Sequence, residues 1–443
     1  MSLLSAIALV AAVALVASSG GTAVSVDDHY HADHAPAGNP IPNPVFDSVA
    51  LVDSDGGASG GHVAAEGDRL YVGAYGAGMR IFSVADPSNP RLIGEYMPGE
   101  RADAVPDAAV FGKRHIAILG GTRRVTGPVN EIRTDRTEFL DVTNPANPKL
   151  LWTFVGQTDG EAHNGDVIDD RKLWLPSGGT GTNGLRIYDL RPLLGKTVRA
   201  PEAVFRANPV DLWAASPHRG GRPVGPAFTH THDITVYRNH PVAQPDGTVA
   251  RRDVLLLAEG GNYADDAGNS GSVFVIDVTD AKRPVVLLRW IHPRAPGHHP
   301  IRYNHEAMLL DGDKAVMLIT DEDLHHPCGD GSDAPVDDAG GGVVAVRLNA
   351  SLTDATELSE WFIPLGTPAP VCSVHVMSSL GDYVFFGSYN AGLQVVDYGD
   401  PANPRQAGYY IAPGTTAWGA LAYRGHVYVG DVSRGLDTFR FTP

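Results

Sequence analysis

One phrase recurs along this chain: an apolar run stops in a proline-flanked turn and resumes as a second strand-like run. Four copies are clear: GMRIFSVADPSNPRLIGEY from Gly78, RTEFLDVTNPANPKLLWTF from Arg136, GSVFVIDVTDAKRPVVLLRW from Gly271 and GLQVVDYGDPANPRQAGYY from Gly392. Three weaker copies start at Gly184 (GLRIYDL), Gly342 (GVVAVRLNASLTDATELSEWF) and Gly435 (GLDTFRF), which makes seven units. Self-similarity at a period of roughly 40 to 50 residues belongs to propellers and solenoids, because each unit must bury its apolar faces against its neighbours.

The composition of the phrase selects between these two. Alternation such as Met79, Ile81 and Ser83 against Arg80, Phe82 and Val84 reads as a strand with both faces largely covered. The Asp-Pro-x-Asn-Pro segment ends it, since proline brings no N–H to a ladder while Asp and Asn bond their own backbone in turns. Upstream, each unit carries a strand pair about a tight turn, as in HVAAEGDRLYVGAYGAG and LAYRGHVYVGDVSRG. Four strands per unit is blade architecture, so the expected fold is an all-β, seven-bladed β-propeller over residues 45–443. The last unit stops at Pro443 without an outermost strand, whereas VFDSVALV, residues 45–52, belongs to no other unit. This segment is expected to complete the last blade and remove its open edge, a step that a solenoid does not need.

Four histidines stand at one offset within these units. His163, His232, His305 and His375 open the runs HNGDVIDDRKLWL, HDITVYRN, HEAMLLDGDKAVML and HVMSSLGDYVFFG. In a propeller each would begin the innermost strand of its blade and meet the others at one mouth of the channel. His62 occupies a nearly equivalent place in blade 1, with Asp107 and Trp418 in the matching regions of blades 2 and 7. Imidazole suits Fe, Cu and Zn, and a site of several neutral histidines needs them to converge from separate elements, which pseudo-rotation supplies. Asn164, Asp233 and Glu306 directly follow three of the histidines; alternation turns them from the channel, but they are placed to fix an imidazole tautomer from behind. The long inserts GGTRRVTGPVNEIRTD, AEGGNYADDAGNSG and TDEDLHHPCGDGSDAPVDDAGGG return to the same face, so Glu259, Asp321, Glu322, Asp323, His325 and His326 border the site. The plainer alternative is a wet channel whose histidines bond backbone and water.

The repeated phrase resembles the LVIVD repeat, matched by GLQVVDYGDPANP and GMRIFSVADPSNP, over most of residues 45–443. The resemblance implies a propeller of secreted or cell-surface bacterial proteins and says little about activity, because propellers host unrelated functions. Several histidines on the axis are also similar to the arrangement of carotenoid-oxygenase propellers, which hold iron there, although their other motifs are absent here.

Other features set the context. The net charge of −17 over 443 residues argues against nucleic acid or an anionic membrane as a partner and favours attraction of cations. Residues 1–23 read as a secretory signal peptide or an amino-terminal anchor, and no later run is long and apolar enough to span a bilayer. A secreted, periplasmic or cell-surface location follows as the expectation. Residues 24–44 form a Pro-rich linker whose His29, His31 and His34 are read as incidental to a tether, with loose metal binding as the alternative. Cys328 and Cys372 map to one face of adjacent blades, which makes a disulfide plausible in an oxidising compartment; two inert thiols or a soft metal ligand are the alternatives. GGTGTNG near Gly178 lacks the Lys-Ser/Thr ending of a phosphate loop, and no Gly-x-Ser-x-Gly elbow occurs. A monomer is expected, and three functions stay open: a metal-dependent enzyme acting on a small molecule at the channel mouth, an adhesion module taking a protein ligand at that face, and a metal-storage or metal-delivery protein.

Overall fold

The computed structural model describes residues 49–54, 60–74, 77–98, 105–125, 132–155, 163–178, 184–261, 271–292, 303–323, 341–364, 369, 371 and 373–443. The expectations for residues 1–44, for His325 and His326 and for the Cys328–Cys372 pair lie outside them.

The described strands form seven antiparallel sheets in chain order, as an all-β, seven-bladed β-propeller. Blade 4 shows the plan: an inner strand His230–Ala243 pairs with Val249–Gly260, then Val273–Asp277, then an outer strand Val285–Trp290. Blade 2 carries one extra short strand, Thr122–Val125, paired to its third strand Ile132–Asp141. In blade 7 the inner three strands are Ala417–Tyr423, His426–Asp431 and Gly435–Phe441, and Val49–Ser54 pairs with the last of them.

Each outer strand departs from plain alternation at one place. The ladder between third and fourth strands skips a residue in six blades, leaving Ile93, Leu151, Val204, Leu287, Leu358 and Ala407 each without an opposite number. An extra residue of this kind bends and re-aims its strand. All six are apolar, and all six pack into the cluster shared with the next blade. Leu287, for example, joins Met317, Ile319 and Val344 of blade 5, while Leu358 joins Phe386 and Val396 of blade 6. The residue after the extra one touches the next blade's proline turn. Ser359 Oγ donates to the Pro401 carbonyl at 2.6 Å, and at Gly94 a Cβ would lie 1.7 Å from the Pro145 carbonyl oxygen.

Inner strands of neighbouring blades share no ladder, so their edge N–H groups need other acceptors. Side chains of the adjoining blade supply them. Val236 N–H donates to Asp166 Oδ2 (2.6 Å), Leu309 N–H to the Tyr237 hydroxyl (2.6 Å), Met377 N–H to Glu306 Oε2 (2.8 Å) and Ala422 N–H to Ser378 Oγ (2.8 Å).

Among the described residues one α-helix, Pro209–Ala215, lies between blades 3 and 4. Asn208 caps it by accepting from Val210 N–H at 2.8 Å, and Trp213 roots it in the core shared by those blades.

Candidate metal centre

Five imidazoles from five blades close a circle. Ring centroids are 6.0 Å apart from His62 to His163, 5.0 Å from His163 to His232 and 4.1 Å from His232 to His305. The circle continues at 4.1 Å from His305 to His375 and returns to His62 at 5.2 Å. Blades 2 and 7 contribute no imidazole. Trp418 of blade 7 instead flanks the circle, 5.6 Å from His375 and 5.9 Å from His62. His62, His232, His305 and His375 are buried, and His163 is half-buried as a residue with its Nε2 itself buried.

Ligand atoms of His163, His232 and His305 lie within 4.8 Å of one another, as do those of His305, Glu322 and His375. Donors about 2.0 to 2.2 Å from one ion stand roughly 3.0 to 3.6 Å apart in octahedral or tetrahedral arrangements, so a set spanning up to 4.8 Å draws inward by up to about an ångström to hold one. Glu322, fully buried, places Oε1 3.5 Å from His375 Nε2 and Oε2 4.0 Å from His305 Nε2. Its Oε1 also accepts from the Tyr389 hydroxyl.

Backbone carbonyls orient two of the rings. His232 Nδ1 lies 3.2 Å from the His305 carbonyl oxygen and His375 Nδ1 lies 2.6 Å from that of Trp418. A carbonyl can only accept, so each Nδ1 carries the proton and each Nε2 keeps its lone pair for the axis. This donor set of neutral imidazoles and one carboxylate fits a divalent transition ion.

Asn164, Asp233 and Glu306 are tied by hydrogen bonds to one another and to backbone. Asn164 Nδ2 donates to Asp233 Oδ1 at 2.7 Å, Asp233 also accepts from Ile234 N–H, and Glu306 accepts from Met377 N–H in the next blade. They form part of an acidic belt behind the imidazoles. Burial pushes the Asp233 carboxyl up to about 7 against the opposing pull of His163, and pushes Asp166 up to about 6. Desolvation, then the neighbouring Asp166 and Asp233 charges respectively, hold Asp107 and Glu306 well above the usual carboxylate range.

The other expected border residues among those described, Asp321, Asp323 and Glu259, are buried. Asp321 Oδ1 accepts from Tyr303 N–H at 2.8 Å, Asp323 is buried, and Glu259 pairs with buried Arg289 at 3.2 Å. Two aromatic neighbours were missed by sequence reading. His230 Nε2 lies 2.7 Å from the Tyr303 hydroxyl, and the Tyr303 ring stands 5.1 Å from His232. The strings HTH and YNH carry the signal only in part: His230 and Tyr303 precede His232 and His305 by two, but His232 and His305 are skipped in their ladders, and it is the ring contacts, 6.2 Å from His230 and 5.1 Å from Tyr303 to His232, that place them beside it.

Comparison with known proteins agrees with this architecture. The LVIVD repeat model matches residues 56–98 and 371–411. No curated protein matches the chain significantly. Among solved structures, the WD40 repeats of RRP9 align with a TM-score of 0.52 at 8% identity, covering 90% of this chain and 99% of that one. The WD40 propeller domain of Doa1 gives 0.51 at 9% identity, over 89% and 97%. The propeller domain of Myceliophteria thermophila Cps50 (Swd1) gives 0.50 at 10% identity, over 88% and 99%. At such identities the likeness speaks for fold alone. The chain carries two matches to the LVIVD repeat and folds as a seven-bladed β-propeller.

Proposed function

We propose that this chain is an exported propeller that binds a divalent transition-metal ion (Zn, Cu or Fe) on its axis through His163, His232, His305 and His375, with Glu322 as a carboxylate ligand and His62 beside them. The observation that carries the reading is the circle of five imidazoles, each from a different blade, in which His163, His232 and His305, and likewise His305, Glu322 and His375, have donor atoms within 4.8 Å of one another. Exchange of the ion or entry of a small molecule would take place on the side of half-buried His163. A second reading, metal-dependent catalysis on that side, draws on the Tyr389 and Tyr303 hydroxyls held beside the ligands. Export draws on the apolar segment at residues 1–23 and on the LVIVD repeats.

Closure of the ring by Val49–Ser54 is part of the same proposal. Its support is the pairing with Gly435–Phe441, in which Val52 is skipped just as one residue is skipped in every other outer strand.

Elemental analysis of protein recovered from its native compartment tests the metal. One equivalent of Zn, Cu or Fe in the wild type, lost in His305→Ala with the melting curve of the stripped protein unchanged, is the expected result. Equal metal content in both proteins would overturn it.

A further inference from the structure

A second set of metal donors lies at the rim, away from the axis. His292 follows the outer strand of blade 4, and its side chain is 1% exposed. Its Nε2 stands 3.2 Å from Glu360 Oε1 and 3.5 Å from Glu357 Oε2, both on the outer strand Ala355–Phe362 of blade 5. All three ligand atoms lie within 4.8 Å of one another.

The local fold explains why two glutamates three residues apart face the same way. On a regular strand they would point to opposite faces. Here Leu358 is the skipped residue of the ladder: Glu357 pairs with Val346 and Ser359 with Ala345. The extra residue turns Leu358 toward the core shared with blade 6 and leaves Glu357 and Glu360 together on the blade 4 side. Both carboxylates are mostly buried, at 15% exposure each.

Donors held by one ion at about 2.0 to 2.2 Å are spaced roughly 3.0 to 3.6 Å apart in octahedral or tetrahedral arrangements. The 3.2 and 3.5 Å separations fall in that interval. One imidazole with two carboxylates suits Zn2+, Mn2+ or Fe2+, and leaves further positions for water. We infer that His292, Glu357 and Glu360 form a second divalent transition-metal site that clamps the end of blade 4 to the outer strand of blade 5.

Cobalt(II) is a suitable probe, because its visible absorption reports coordination by nitrogen and oxygen. Full-length protein stripped by a chelator is titrated with Co2+ as wild type, as His292→Ala and as the shape-conserving double variant Glu357→Gln with Glu360→Gln. The same substitutions are repeated in the His305→Ala background, which separates the rim from the axis. The expected result is that either rim change removes one equivalent in both backgrounds, with the circular dichroism of the metal-free proteins unaltered. At the least, the double glutamine variant should weaken the rim equivalent by tenfold or more. Unchanged stoichiometry and affinity in the rim variants would overturn the proposal and leave a simple ion pair. Failure of the axial site would show instead as His305→Ala matching the wild type, with the rim equivalent still present. If His292→Ala does not fold, the glutamine variant gives the same reading.

Discussion

Arg289 is the best place to perturb the scaffold behind the candidate metal centre. Its guanidinium and the Glu259 carboxylate are 1% and 0% exposed and meet at 3.2 Å. Arg289 also donates to Ser272 Oγ (2.9 Å) and to the carbonyls of Pro226 (3.0 Å) and Val224, and stacks over Phe274 at 5.0 Å. It thereby fastens the segment that leads into His230 and His232. Arg289→Met keeps the aliphatic stem and leaves Glu259 buried without its counter-charge. Breaking a buried pair from one side costs about 3–5 kcal/mol, most of it from the stranded charge. The cost should depend on pH. Burial already raises the Glu259 carboxyl above its ordinary value, while Arg289 is among the groups that hold it down; without Arg289 it rises further. A carboxyl raised in the folded state binds its proton more tightly there, so the variant is most stable at low pH and loses stability as pH rises through the folded value. Urea unfolding followed by tryptophan fluorescence should therefore show a deficit against wild type that is largest near neutral pH and shrinks toward about pH 5. A deficit below about 1 kcal/mol, or one constant across that range, would refute the argument.

Two further changes test the ring. A chain starting after residue 54 should melt well below one starting after residue 44, since only the first lacks the strand beside Gly435–Phe441; coincident melting curves would count against closure. Gly94→Ala should destabilise by about 1–3 kcal/mol, because its Cβ would meet backbone, the Pro145 carbonyl, rather than a side chain able to move; differential scanning calorimetry against Gly112→Ala, which has open space but a φ of +69°, separates crowding from backbone strain.

The ring was legible because its signal is local and repeated: the proline turns after Val84, Val142 and Tyr398 stop strands by chemistry contained in a few residues. The offset of His163, His232, His305 and His375 was legible for the same reason. Their mutual distances depend on the radius of the whole ring, which no local string encodes. Glu322 stood out only as one of several acids at a loop edge, because its approach to His375 is set by where blades 5 and 6 meet. The skipped residue of each outer strand hid for a different reason. Ile93 or Leu358 looks like one more apolar residue until its partner strand is known, so Glu357 and Glu360 read as pointing apart. Inter-blade carboxylates such as Asp166 and Glu306 were likewise invisible, since the N–H groups they serve are roughly 70 residues away.

The circle of imidazoles leaves out blade 7, the sheet that the proposed closure would build from both ends of the propeller, yet the rings of His375 and His62 stand 5.2 Å apart across it. An ion held there would act as a rivet at the hub of a wheel whose rim is already spliced at one point. Blades 6 and 1 would be tied from the inside, over a sequence separation as long as most of the protein. Fraying at the splice would then no longer spread inward, and the loaded wheel would come apart as a unit instead of unrolling from its loose end.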